Sequence, residues 1–470
     1  MRYLKYARSL GDILVVALKD DLSLVNSEAT HYFKQEERAE GVSLLNIVDY
    51  AVILDKGNLS DFIENVRPAI LVMGSEHEKI HDSEIESSLN TLNECGGKVV
   101  YHAGETQYST ADLLYARQDD LAMDKLNLFK KACKAQNITI EDINSMLEEI
   151  KNTNLLVIGD TIVDQYVACD ALGMSAEAPV LVVRELESRE FVGGAAVVAS
   201  HICALGAKCH YLSVVGDDEH GKNVQTKLMS RGVESHLIYD SSRPTTYKIR
   251  YMVENQKLFR VSKLKEHKLS AAIEKLIIKK IKELSPGVDG IVISDFVYGV
   301  ITDKVIKVIQ EMADKHKLKI FADIQCSSQM GKVTKFKNFD LVFPTEREAR
   351  HALDNMVNGV EWIANTLMDQ LEAKDGVIKL GADGFIAYRR QDDGFLQRQH
   401  FPALSVNPID VAGAGDSLMA AMSASISTGS NLMAASALGA CMAGLAVREV
   451  GNQPISGQQL KDYVYGIGLE

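Results

Sequence analysis

Asp410-Val411-Ala412-Gly413-Ala414-Gly415-Asp416-Ser417 runs straight into Leu418-Met419-Ala420-Ala421, and the reading of the fold starts there. Glycine and alanine at 413–415 leave backbone N–H groups open to close approach by an anion. The residues that follow predict a helix, whose N-terminus carries partial positive charge and favours a phosphoryl group. Asp416 is then placed to accept a proton from an attacking hydroxyl, as phosphoryl transfer requires. Taken alone, the octapeptide fits equally a glycine-rich turn with a capping aspartate.

Downstream, Leu418 to Val447 is small and apolar but broken at Ser425, Ser427, Thr428, Gly429, Ser430 and Asn431. This predicts two packed helices joined by a turn, not a membrane span. Upstream, Leu155-Leu156-Val157-Ile158 is a short apolar run ending in Gly159-Asp160, the pattern of a buried parallel strand. Further strands are expected at Leu181–Val183, Tyr211–Val215, Tyr247–Val253, Gly290–Ser294, Ile320–Ala322, Leu341–Phe343 and Val377–Leu380. The early ones read as an antiparallel flap and the later ones alternate with helices, an α/β sandwich with a small β-lid.

Ordered company surrounds the glycine loop. Asp160 and Asp164 come first, then Ser175-Ala176-Glu177-Ala178-Pro179-Val180, Gly193-Gly194-Ala195-Ala196 and Leu205-Gly206. Gly216-Asp217-Asp218-Glu219-His220-Gly221, Pro244-Thr245-Thr246-Tyr247-Lys248 and Ser294-Asp295 with Gly299 follow, then Glu348 and Gly381-Ala382-Asp383-Gly384. With these, the chain from about Leu155 to Val464 resembles the ribokinase-like (PfkB) carbohydrate kinases, and within them the heptose-7-phosphate kinases of lipopolysaccharide precursor synthesis.

The resemblance implies an ATP- and Mg²⁺-dependent kinase for a sugar or sugar phosphate. Asp416 would be the base, and the N–H groups of the Gly413, Ala414, Gly415 and Asp416 loop would stabilise the transferred group. Asp160, Asp164 and Asp295 would bind the sugar, with Gly193 and Gly194 letting the backbone close on it. Lys248 and Arg250, on a lid-like strand, would meet a substrate phosphate or else line a solvated face. Thr345, Glu348, Lys379, Gly381 and Gly384 fall on the nucleotide side, with Glu348 ordering Mg²⁺ through water. A homodimer through the lid is implied as well. Several positions depart from the pattern: Val197 for Asn, Tyr298 for Lys, Gln325 for Lys, Thr345 for Asn, Lys379 for Thr and Ala412 for Thr. Most of these remove a polar group near substrate or nucleotide. A second reading therefore stays open, a catalytically silent homologue that binds a sugar nucleotide or a partner protein.

The first part of the chain is a different unit. Ile13–Leu18, Tyr50–Leu54, Ala69–Gly74 and Lys98–Tyr101 are apolar strands separated by helical patterns, a small Rossmann-like α/β domain. With Tyr3-Leu4, Ala7-Arg8, Leu10-Gly11-Asp12, Glu37-Arg38-Ala39, Gly96-Gly97-Lys98 and Ser109-Thr110, it resembles the nucleotidyltransferase fused to many heptose kinases. The His-x-Gly-His loop and opening strand of that family are missing, and Met73 replaces a usual Lys. A degenerate scaffold or interaction domain is expected, unless the gene start is placed too late. The expected division is 1–110, a helical connector at 111–152, and the kinase at 153–470.

Composition agrees with a cytoplasmic enzyme of two domains. The net charge of −13 argues against nucleic acid or an anionic membrane as partner. Seven cysteines without a CxxC pair suit a reducing compartment. His77-Glu78-Lys79-Ile80-His81 matches the zinc-protease pattern by spacing, but no third ligand accompanies it.

Overall fold

The computed structural model describes residues 2–24, 34–45, 47–54, 58–74, 83–102, 118–254, 256–265, 267–326, 331–391, 396–405 and 407–469. The His77–His81 motif and Ser109-Thr110 lie outside them. The chain forms two compact units, residues 1–114 with 355–363, and residues 115–354 with 364–470. Among the described residues no helix is long and apolar enough to cross a membrane.

In the smaller unit, β1 (Val15–Lys19) pairs in parallel with β2 (Tyr50–Leu54), and β3 (Ile70–Gly74) with β4 (Lys98–His102). The helix Leu59–Val66 crosses from β2 to β3, capped by Asn58, whose side chain accepts from Asp61 N. Strand–helix alternation with parallel pairing is the α/β arrangement expected for this part.

The larger unit is built on a nine-stranded sheet. Its strands are β5 (Asn154–Gly159), β8 (Lys208–Val215), β9 (Glu234–Tyr239), β12 (Gly290–Asp295), β13 (Lys319–Ile324), β14 (Leu341–Val342), β15 (Asp375–Lys379), β16 (Phe385–Arg390) and β17 (Leu396–Phe401). They lie in the order β17-β16-β15-β14-β13-β12-β5-β8-β9, all parallel except that β16 pairs antiparallel with both β15 and β17. Leu155–Ile158, Ile291–Ile293 and Phe321–Ala322 are fully buried, as strands covered on both faces must be. Strand order reverses direction around β5, and in open α/β sheets ligands bind beyond the carboxyl ends at such a point.

A second sheet forms the lid, in the order β11-β10-β6-β7. Here β6 (Thr161–Met174) and β7 (Leu181–Gly194) make a long antiparallel pair, and β10 (Thr246–Val253) joins β6 in parallel and β11 (Gln256–Lys263) antiparallel. The lid is therefore mixed, and β6 is a strand that the flap reading did not include. Tyr211–Val215, read as a strand, lies in the central sheet within β8, buried between β5 and β9.

Two helices of small residues, Ala414–Ser427 and Leu432–Ala446, pack together in the core, as the composition of 418–447 implies. The helices Gln118–Ala135 and Ile140–Ile150 fall in the stretch read as a connector. Phe129, Ile143, Leu147 and Ile150 from them join the same buried cluster as Leu155 and Leu438, so these helices are part of the larger unit's core.

Candidate active site

The glycine loop leads into the helix Ala414–Ser427 through a residue that has to be glycine. Gly413 has φ 83°, and a Cβ there would lie 1.9 Å from Asn452 Oδ1. Ala414 N donates to Val411 O at 3.4 Å and Ser417 N to Gly413 O at 2.9 Å, while the N–H groups of Gly415 and Asp416, in the first turn, have no acceptor within the helix. Asp416, in that first turn, is only 4% exposed, and Gln325 Nε2 donates to its Oδ1 at 2.7 Å. Burial, then the charge of Asp323, pushes the Asp416 carboxyl up to about 7; Lys379 and the Gln325 hydrogen bond act the other way.

Beneath the loop lies an ion pair, Lys379 Nζ to Asp323 Oδ2 at 2.6 Å. A Cβ on Gly415 would come within 3.3 Å of Lys379 Nζ, so the missing side chain is what lets the loop rest against this cation. Burial alone would lower Lys379, but the charges of Asp323, Glu348 and Asp416 hold it raised and cationic. Burial pushes Asp323 up to about 6 despite Lys379. Its Oδ1 is buried without a hydrogen-bond partner among the described residues.

On the nucleotide side, Thr345 caps the helix Glu346–Ala352 in a reciprocal box with Glu348. Glu348 Oε2 accepts from Thr345 N at 2.8 Å and Oγ1 at 2.7 Å, and Oε1 from Cys326 N at 2.9 Å. Thr345 also bridges Lys379 across the sheet. Gly381 and Gly384 follow β15 with φ of 67° and 90°; a Cβ on Gly381 would meet open space, one on Gly384 the Phe401 carbonyl at 2.1 Å. Magnesium takes oxygen ligands and keeps several waters. The spare Asp323 Oδ1, the remaining lone pairs of Glu348 and the first-turn N–H groups of Gly415 and Asp416 fit a magnesium-bound polyphosphate.

The residues expected to bind the sugar also converge, but their polar groups are largely engaged. Asp160 accepts from Phe296 N at 2.8 Å, Tyr298 N at 3.3 Å and Val300 N at 3.3 Å, which fixes the 296–300 loop. Burial and the Asp295 charge raise it to about 7 against those three donors. Asp164 is paired with Arg250, and Asp295 with Lys335. A Cβ on Gly193 would strike Asp164 Oδ2 at 2.3 Å, and one on Gly194 the Asp160 carbonyl at 2.3 Å. Lys248 is buried with its Nζ over the rings of Phe296 and Tyr298, at 5.5 and 5.3 Å. Lys248 is thus buried on the lid strand, and Arg250 is partly buried and paired with Asp164.

Sequence reasoning gave no role to Asp323, Lys335, Tyr166, Lys257 or Asp410, and noted Gln325 only as a departure. Asp410 opens the glycine loop; Tyr166 OH donates to its Oδ2 at 2.6 Å and Lys257 Nζ to its Oδ1 at 2.9 Å. Both donors come from lid strands. Burial alone would raise Asp410, but these bonds and the Ala412 N–H outweigh it and hold the carboxyl low. A signal for Asp323 was present: β5, β12 and β13 each run apolar and then reach an aspartate, at Asp160, Asp295 and Asp323. Tyr166 and Lys257 carried none, because their partner is distant in sequence.

Residues 152–457 match the family described as pfkB family carbohydrate kinase. A bifunctional protein HldE of Pelobacter propionicus is 28% identical over 320 residues, 67% of this chain and 64% of that protein. The HldE of Helicobacter hepaticus is 30% identical, covering 67% of this chain and 65% of its own length. The chain thus aligns with somewhat under two thirds of the relatives it matches. Among solved structures, phosphofructokinase-2 of Escherichia coli superimposes with a TM-score of 0.57 at 16% identity, covering 67% of this chain and 99% of the other. A ribokinase of Thermotoga maritima gives 0.54 at 18% identity, with 67% and 99% coverage. Those two establish the ribokinase-like fold, and with the family match over the residues that carry the glycine loop, the ion pair and the lid, the chain belongs to the pfkB family of carbohydrate kinases.

Proposed function

We propose that this chain transfers the γ-phosphoryl group of ATP to a hydroxyl of a sugar phosphate of the heptose-phosphate type. Asp416 takes the hydroxyl proton, the oxygen attacks the γ-phosphorus, and the bond to the β–γ bridging oxygen breaks to leave ADP. The N–H groups of Gly415 and Asp416 and the Lys379 cation face the transferred group and stabilise its charge. Mg²⁺, when bound near Asp323 and Glu348, supplies further neutralisation of the phosphates. Gln325 holds the carboxylate in position.

The observation that carries this reading is the buried Asp416 in the first turn of a helix, with a near-neutral pKa and a cation beneath it. Lys248 and Arg250 supply positive charge toward the phosphate of a sugar phosphate. Residues 1–110 are read as a nucleotidyltransferase-like domain that acts as a scaffold or interaction unit.

One observation favours the silent-homologue reading: Asp160 and Asp164 are both already engaged, by backbone N–H groups and by Arg250. ADP release with ATP·Mg²⁺ across heptose, hexose and pentose sugars and their monophosphates separates the two, with Asp416→Asn in parallel. Turnover of a sugar phosphate that collapses in the variant supports the kinase. No turnover from folded protein supports the silent homologue, and turnover undiminished in Asp416→Asn sinks the assigned base.

A further inference from the structure

A second cluster of chemistry-bearing side chains lies at the other end of the central sheet. His210 is the third residue of β8, while Glu234 and His236 are the first and third of the edge strand β9. Parallel register sets His210 beside Glu234 and Leu212 beside His236, and the two-residue repeat of a strand puts Glu234 and His236 on one face. These positions are near the amino ends of their strands, whereas the kinase residues lie beyond the carboxyl ends.

The donor atoms converge. His210 Nδ1 stands 3.2 Å from His236 Nε2 and 3.3 Å from Glu234 Oε2, and His236 Nε2 is 3.4 Å from Glu234 Oε1. Tetrahedral Zn²⁺ with ligand bonds of about 2.0–2.2 Å places neighbouring donors about 3.3–3.6 Å apart, so the cluster needs little adjustment. Two imidazole nitrogens aimed at each other can share only one proton, while a cation uses the lone pairs of both. The imidazoles are largely buried, at 18% and 17% side-chain exposure, and Glu234 at 66% keeps the site open to solvent.

The surroundings suit a cation. Lys280, on the helix Ala271–Leu284 packed against β9, is paired with Glu283 at 2.9 Å, so its charge is countered. Behind His210, Asn154 Nδ2 lies 3.4 Å from Nε2 and donates to Gly287 O at 2.6 Å. Asn154 Oδ1 is buried with no partner among the described residues. A histidine ligated through Nδ1 carries its proton on Nε2 and ordinarily gives it to an acceptor. Turning the Asn154 amide supplies one, at the expense of the Gly287 bond.

We propose that His210, Glu234 and His236 bind one Zn²⁺, with water completing the shell, and that the ion clasps the edge strand β9 to β8. The site is independent of the kinase reading. The test uses the full chain, stripped by a chelator and titrated with Zn²⁺ against a chromophoric competitor, with metal content read by mass spectrometry. His77→Ala/His81→Ala serves as the control, because that motif offers zinc-binding side chains of its own.

One Zn²⁺ per chain is expected in wild type and in the control double variant, with a rise in Tm on binding. His236→Ala and His210→Ala should each weaken binding by more than the about 10- to 100-fold typical of losing an outer partner. Glu234→Ala, at an exposed position that leaves folding intact, should weaken it at least about tenfold. Binding that survives these substitutions, that disappears with His77 and His81, or that is absent in wild type overturns the proposal.

Discussion

Gln325 Nε2 donates to Asp416 Oδ1 at 2.7 Å, so a neutral amide holds the Asp416 carboxyl where the resemblance leads one to expect a lysine. Burial and the nearby Asp323 charge push that carboxyl up to about 7, and Lys379 and the amide bond pull it only part of the way back. Removing the amide takes away a group that lowers Asp416. Gln325→Ala should shift the acid limb of the kcat profile to higher pH and lower kcat by about tenfold or more. A profile that keeps its acid limb in place would show that Gln325 does not position the base.

Asp416→Asn tests the base and the burial cost together. Turnover should fall by about 10²–10⁴-fold. The wild-type carboxyl lies at about 7 against an ordinary 3.8, so the folded state prefers the protonated form. Its contribution to stability is complete below the unfolded value and is lost as pH rises through the folded one. Asparagine removes that dependence. Its Tm should exceed wild type by more at pH 8 than at pH 5, as thermal unfolding at the two pH values would report.

The Lys379–Asp323 pair predicts a different signature. Both side chains are buried, so Lys379→Met leaves a carboxylate without its cation and should cost about 3–5 kcal/mol in urea unfolding. Adding Asp323→Asn should recover most of that stability while activity stays lost. A double variant no more stable than the single one would remove the pair from the account of this site.

Tyr166→Phe deletes one of the two lid bonds that hold Asp410. A hydrogen bond to a charged acceptor is worth about 1.5–3 kcal/mol. Amide hydrogen exchange over 411–415 should quicken and kcat should fall, with the central sheet unchanged. Exchange confined to the lid would separate the lid from the loop.

Much of this was legible in the residues themselves. Apolar runs such as Leu155–Ile158 declare buried strands, and Gly413 declares a tight turn into a helix, because backbone geometry forces those residue types. What stayed hidden depends on pairing across distance. β6 carries neither a clean alternation nor an apolar run, because polar Asp164 and Gln165 interrupt it, so it did not stand out as a strand of the lid. Asp160 looks like a sugar ligand from its place at a strand end, yet three backbone N–H groups from 296–300 occupy it. Arg250 facing Asp164, and Tyr166 facing Asp410, join residues that only the folded chain brings together.

Gly413 carries a consequence for how such a protein changes over generations. Any other residue there needs both a left-handed backbone and the departure of Asn452, two alterations that have to arrive together. Positions that depart from the kinase pattern without such a double constraint, such as Val197 or Tyr298, can be exchanged one at a time. Under the proposed function, a lineage built on this frame would lose its choice of sugar far more readily than its reaction, and descendants that share the chemistry need not share the molecule they act on.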